Sequence, residues 1–343
     1  MDRIYNGWLG RTEKIIDYII LAKDMATAKK TTSKKKDKPI PAVRYLRYEL
    51  TNSGTANTET SHYIDLAKDI SAINRRLYRQ GRAYHVKKVT IVSKNTPNVQ
   101  PGVQGGRVSV SVVPDSWVAR GAWKRGFDMW NRQRKEAVAN SGIQPGTWND
   151  FKVYLSDSMR TGTTLTPKDN GGNSLSINEW NYATLVTPDG TTSADSFELH
   201  MLGDHNGAAG SRVSVGLIQS YGDARTTVDA GQSPNTPAAA SDDPLVNIFD
   251  DGTHIDEVID NIEGENDLPP YSVGDYPGGA ANMPKPLVVQ DTVLSDGRAV
   301  MGGFHAMCGL LEIETTSSEV NDVYSILVEL APGNYRGIAA DVI

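Results

Sequence analysis

The chain has 343 residues, enough to bury a full core, and its formal net charge of −6 hides a strong asymmetry. Residues 1–135 carry 27 Lys+Arg against 11 Asp+Glu, whereas residues 136–343 carry 8 against 30. A single cysteine, Cys308, excludes an internal disulfide framework and a cysteine-based zinc site, and no run reaches the ~18 uninterrupted apolar residues that a membrane helix needs.

Residues 1–24 differ in character from the rest of the chain. Ile15, Ile16, Ile19 and Ile20 would fall on one face of an amphipathic helix, and Asp17 within the apolar stretch argues against a signal peptide. We read 1–24 as an upstream extension to a basic arm that starts near Met25. The arm carries Lys29, Lys30, Lys34, Lys35, Lys36 and Lys38, followed by Pro39 and Pro41. Such a segment ahead of a folded body suits binding to a polyanion, or else simple solvation of the terminus. The organisation expected is therefore an N-terminal extension and Lys-rich arm over 1–42 and one body over 43–343.

Alternation predicts a strand over Val43–Leu50, with Tyr and Leu residues inward and charges outward. A polar, turn-rich stretch runs from Thr51 to Ser61. Asp69–Gln80 reads as a short helix, with Ile70, Ile73 and Leu77 on one face and Gly81 as its stop. Two strands come next, Tyr84–Val92 and Arg107–Val113, the second alternating as a half-buried strand.

The clearest helix spans about 116–139, capped by Asp115 or Ser116 and ended by Gly142. Trp123, Phe127 and Trp130 share one face, while Arg120, Lys124, Arg125, Arg132, Arg134 and Lys135 supply polar surface. This pattern fits a nucleic-acid-contacting helix, or one docked on a sheet by its aromatics.

From Trp148 onward, short strand-like runs alternate with polar loops. They are Phe151–Leu155, Phe197–Leu202, Arg212–Tyr221, Leu287–Leu294, Gly302–Glu314 and Val323–Leu330, with a helix near His254–Ile262. Many short strands without a βαβ rhythm predict an all-β fold, a single jelly roll with inserted helices and long loops. The loops 156–195 and 222–244 are expected on the exterior.

Catalytic signatures are sparse. His200, Asp204 and His205 cluster in sequence, but their spacing suits a strand end entering a loop better than a zinc site. Asp250, Asp251 and Asp256 are candidate calcium ligands, although the EF-hand ligand order is missing and aspartates before a helix more often serve as its caps. No nucleophile elbow, zinc-helix motif or phosphate loop is present, so no catalytic residue is assigned and no cofactor beyond a structural Ca2+ at subunit contacts is considered. Cys308, in an apolar run, reads as a buried thiol.

One segment is distinctive: Asn266-Asp267-Leu268-Pro269-Pro270-Tyr271, followed by Tyr276-Pro277-Gly278-Gly279. Its prolines dictate an extended connector and a turn. With the Lys arm, the strand-rich body and Gly302–Leu311, it resembles the capsid proteins of small circular Rep-encoding single-stranded DNA viruses. Two departures stand out. This arm is short and Lys-rich where circovirus arms are long and Arg-rich, and residues 1–24 have no counterpart.

The resemblance implies a jelly-roll coat protein, not an enzyme, that assembles with copies of itself into an icosahedral shell around circular single-stranded DNA. It implies a place in the virion, with the arm also able to serve as a nuclear localisation signal, and it leaves the host receptor open. Phosphate contacts would come from Lys29, Lys30, Lys34, Lys35, Lys36, Lys38, Arg44 and Arg47. The alternatives are a lectin-like β-sandwich module with Trp148 or Trp180 at a pocket mouth, and a metal-dependent hydrolase built on His200, Asp204 and His205.

Overall fold

Apolar side chains that alternate along the central strands must be buried on one side, and two sheets facing each other meet that demand. The computed structural model describes residues 41–93, 106–142, 146, 148–187, 195–208, 211–226, 270, 276–294 and 297–343. Its first strands are β1 (Tyr45–Thr51), β2 (Thr60–Asp65), β3 (Arg82–Ser93) and β4 (Arg107–Val112). The last are β10 (Leu287–Val293), β11 (Arg298–Met301), β12 (Phe304–Met307), β13 (Leu310–Thr316), β14 (Val323–Leu330), β15 (Pro332–Gly333), β16 (Gly337–Ile338) and β17 (Ala340–Val342).

One sheet runs β1-β14-β3-β11, with β12 and β17 also on β3; the other runs β10-β4-β13-β2, with a two-residue β6 (Thr163–Thr164) beyond β2. Strands β11 and β12 keep a single register along β3, from Arg298 opposite Val92 to Met307 opposite Ala83. Counted as one strand, they complete eight, and the two sheets then have the orders 1-8-3-6 and 5-4-7-2. This is the double Greek key of a jelly roll, as the sequence predicts. Leu46, Tyr48, Ile91, Ile326 and Val328 of the first sheet join Val108, Val110, Leu311 and Ile313 of the second in one core. Each such side chain contributes about 1.5–3 kcal/mol through burial.

Between β4 and β10 lies a large insertion with a second core. Its helices are α2 (Trp117–Ser141), α3 (Asp157–Thr161) and α4 (Leu217–Thr226); α1 (Leu66–Asn74) lies earlier, between β2 and β3. Its small sheet pairs β5 (Tyr154–Ser156), β8 (Asp195–Leu202) and β7 (Thr184–Thr187), with β9 (Ser214–Gly216) also on β8. Trp123, Phe151, Leu155, Leu199, Met201 and Ile218 fill the space between helix and sheet. No helix among the described residues is long and apolar enough to cross a membrane.

Several elements depart from the sequence reading, each for a local reason. The first helix begins at Leu66 and ends at Asn74, not at Asp69 and Gln80. Asp65 caps it by accepting the Lys68 N–H at 3.1 Å, and Arg75 breaks it in the left-handed region at φ 52°. The break sends the Tyr78 ring into the core. Thr60–Asp65, hidden behind a polar loop, forms β2. The run 212–221 is a strand only over Ser214–Gly216 and then turns helical. The run Gly302–Glu314 is two strands, and Cys308 (φ 60°) and Gly309 (φ 71°) carry the chain from one sheet to the other. The expected exterior loop 156–195 contains α3, β6 and β7. Ser109 and Ser111 are buried along with their valines, because β4 lies inside its sheet between β10 and β13. The predicted helix 254–262 lies outside the described residues.

Candidate nucleic-acid interface

The described chain starts at Pro41, beside the C-terminal end of α1. Asn74 fixes this junction with two hydrogen bonds: its Oδ1 accepts the Val43 N–H at 2.7 Å and its Nδ2 donates to the Val43 carbonyl at 3.0 Å. Arg76 donates to the Pro41 carbonyl at 3.5 Å. Arg75 and Arg76, both exposed, follow the end of α1 directly.

Of the eight proposed phosphate contacts, Lys29, Lys30, Lys34, Lys35, Lys36 and Lys38 lie outside the described residues. Arg44 is half-buried just before β1, where its carbonyl accepts the Leu330 N–H at 2.8 Å. Arg47 lies on the outward side of β1, in an ion pair with Glu49, and donates to the Asp169 carbonyl at 3.3 Å. Lys168 reaches the same Glu49 at 3.1 Å, and its hydrogen bond holds that carboxyl below the usual range. Arg47 thus shares its charge with a carboxylate before any ligand arrives.

An open groove of about 860 Å³ starts at the same end of α1. Its walls bring together Lys68, Arg75, Arg76, Lys152, Trp148 and Trp180 from three separate parts of the chain. Trp148 is 64% exposed. Trp180 is half-buried, with the Lys152 ammonium 4.7 Å above its ring and its indole N–H donated to Asp65 at 2.9 Å. Burial pushes the Lys152 amine down from its ordinary value.

Asp65 is the anchor of this groove. Its buried carboxylate caps α1 and also accepts from Gln80 Nε2 at 2.7 Å and Tyr182 Oη at 3.2 Å. Burial raises its pKa, and Lys68, Gln80 and Trp180 oppose the rise. Asp150 and Glu179 add negative charge to the lining, so the groove offers cations and aromatic faces in alternation with carboxylates. The exposed Trp148 indole beside guanidinium and ammonium groups suits unpaired bases and the phosphates between them.

The aromatic face of α2 is core. Trp123 and Phe127 stack at 5.4 Å and 6°, and Trp123, Phe127 and Trp130 all meet Phe151. Of the three, Trp130 also borders the groove. Lys124, Arg125, Arg132 and Lys135 remain exposed, whereas Arg120 is held by both oxygens of Asp115 and by the Val342 carbonyl. The docked reading of this helix therefore accounts for its aromatics.

His200, Asp204 and His205 organise a loop. His200 is fully buried, burial pushes its pKa to about 4, and its Nε2 meets the Asp204 carbonyl at 3.0 Å. His205 accepts the Gly216 N–H through Nδ1 at 3.0 Å. These ring nitrogens are thus directed at backbone groups. Asp250, Asp251 and Asp256 lie outside the described residues. Cys308 is a buried free thiol, its pKa raised by burial.

The sequence points to Trp148 or Trp180 at a pocket mouth but not to the cations that line the same groove. Arg75 and Arg76 fall inside the helix expected over Asp69–Gln80, and nothing local in the sequence places them beside residues 148–180. No protein-family model, curated protein or solved structure matches this chain.

Proposed function

We propose that this chain is a shell-forming structural protein that packages single-stranded DNA and takes its place in a virion. The observation that carries the reading is a jelly roll with a cationic, tryptophan-lined groove at the C-terminal end of α1, in a chain whose sequence has a Lys-rich run ahead of the first strand. Jelly rolls also serve as lectins and other binding domains, so fold alone does not choose among functions. The choice rests on charge. Lysines and arginines neutralise phosphates without reading sequence, which suits the packaging of a whole genome. Exposed apolar side chains on the sheet-edge strand β10, namely Leu287, Val288 and Val293, supply surface for contacts between copies. No catalytic step is part of this reading.

Expression of the full chain alone, followed by negative-stain imaging and nuclease treatment, tests it. Closed particles that protect single-stranded DNA are expected, with protection lost when residues 1–40 are deleted. Monomers that persist across pH, salt and calcium overturn the reading. The convergence of Trp148 and Trp180 on one groove favours a second reading, a lectin-like binding module. That module would form a discrete oligomer and keep its ligand when residues 26–40 are removed.

A further inference from the structure

Away from the groove, on the outward side of β3, three side chains from distant parts of the sequence converge. His85 and His305 are directly opposed across the β3–β12 pair, with ring centroids 4.0 Å apart. Asp341, on β17 at the other edge of β3, brings Oδ2 to 2.7 Å from His85 Nε2. One potential ligand atom from each of the three lies within 4.8 Å of the others.

We propose that His85, His305 and Asp341 form a site for a divalent transition metal of the zinc class. Two imidazoles are borderline donors that favour zinc over calcium or magnesium, and zinc also accepts a carboxylate oxygen. Bond lengths of about 2.0–2.1 Å to a tetrahedral ion require donor atoms about 3.3 Å apart. The wider separations therefore need a closure of at most about 1.5 Å and the His85–Asp341 pair a slight opening, both within reach of side-chain rotation because His305 and Asp341 are exposed and His85 is half-buried. The fourth position faces solvent and would hold water. The backbone already fixes the donors: His85 sits between strands, its N–H donated to the Ala339 carbonyl at 3.1 Å and its carbonyl accepting the Ala331 N–H at 2.9 Å. Arg120 brings positive charge toward Asp341, and its guanidinium is held by Asp115.

The consequence is mechanical. β17 pairs with β3 over only three residues, Ala340–Val342. A metal held by all three side chains would pin this C-terminal strand, and the strand formed by β11 and β12, to β3. Binding to the folded chain alone would then raise its stability with metal concentration.

The inference is independent of the packaging reading, because it concerns metal binding alone. Calorimetric titration of the full chain with zinc chloride tests it. One ion per chain is expected, with affinity lowered at least tenfold in His305→Gln and in Asp341→Asn, both exposed positions whose variants can be checked for folding by circular dichroism. Cobalt substitution should give the visible absorption of a four-coordinate site in the wild type and lose it in His305→Gln. Zinc binding unchanged in both variants overturns the proposal, as does binding abolished instead by His254→Ala, or displacement of zinc by an equal concentration of calcium.

Discussion

Trp180 donates its indole N–H to Asp65 at 2.9 Å, tying the inserted segment to the cap of α1 across 115 positions of sequence. The same carboxylate holds Gln80 and Tyr182, so one buried charge joins the jelly roll to the wall of the groove. Trp180→Phe keeps an aromatic ring and removes one donor. Because hydrogen bonds to charged groups contribute about 1.5–3 kcal/mol, a destabilisation of that order is expected in urea unfolding. No change in midpoint would show that Asp65 does not depend on this bond.

Asp69 lies one turn further along α1, fully buried, with Tyr48 Oη donating to its Oδ2 at 2.6 Å. Burial pushes its carboxyl up to about 8, opposed chiefly by the charge of Lys68. The folded chain thus keeps this proton at a pH where the unfolded chain, titrating near 4, has lost it. Stability should fall as pH rises from about 4 to about 8 and level off above. Asp69→Asn cannot ionise, so its melting temperature should decline less steeply than the wild type between about pH 5 and about pH 8. Parallel profiles would assign the pH dependence to other groups.

Tyr276, Pro277, Gly278 and Gly279 form a β-turn. The Gly279 N–H reaches the Tyr276 carbonyl at 2.7 Å, and Gly278, third in the turn, has φ 94°. Proline second and a left-handed glycine third define type II. A Cβ on Gly278 would stand 2.7 Å from both Leu202 Cδ2 and Ile218 Cδ1. Gly278→Ala should therefore lower stability by about 1–3 kcal/mol through backbone strain, with added cost from the contact. A wild-type melting temperature would show that the turn relaxes freely.

The groove makes a charge prediction. If Arg75 and Arg76 each meet a phosphate, replacing both with Gln should reduce the slope of log affinity against log salt by about 1.4 for an oligothymidylate. Fluorescence anisotropy across a salt series measures this. Arg120→Gln, at a guanidinium already bound by Asp115, should leave the slope unchanged. Equal slopes in all three proteins would remove the groove from the DNA path.

Cys308 should be silent toward a disulfide reagent in the native protein and should react fully once the chain is unfolded. Its burial both blocks access and suppresses the thiolate. Prompt reaction without denaturant would mean that the strand crossover at Cys308–Gly309 opens readily.

What could be read from the chain alone was whatever local pattern carries. Alternation in Tyr45–Leu50 and Arg107–Val112, the i, i+4, i+7 aromatics of α2 with Ser116 and Gly142 at its ends, and the Pro-Gly turn at 277–278 each encode their conformation in neighbouring residues. So does the basic character of the first 135 residues. Strand order, by contrast, depends on pairings such as Tyr45 with Glu329 and Leu311 with Val112, where contact between distant residues is set by the shared core. Thr60–Asp65 becomes a strand because β13 waits beside it, and Arg75 ends α1 because Tyr78 must reach the interior. The groove and the His85–His305–Asp341 cluster arise the same way. Their charges and rings are visible one at a time in the sequence, but only packing in three dimensions brings them into one groove and one cluster.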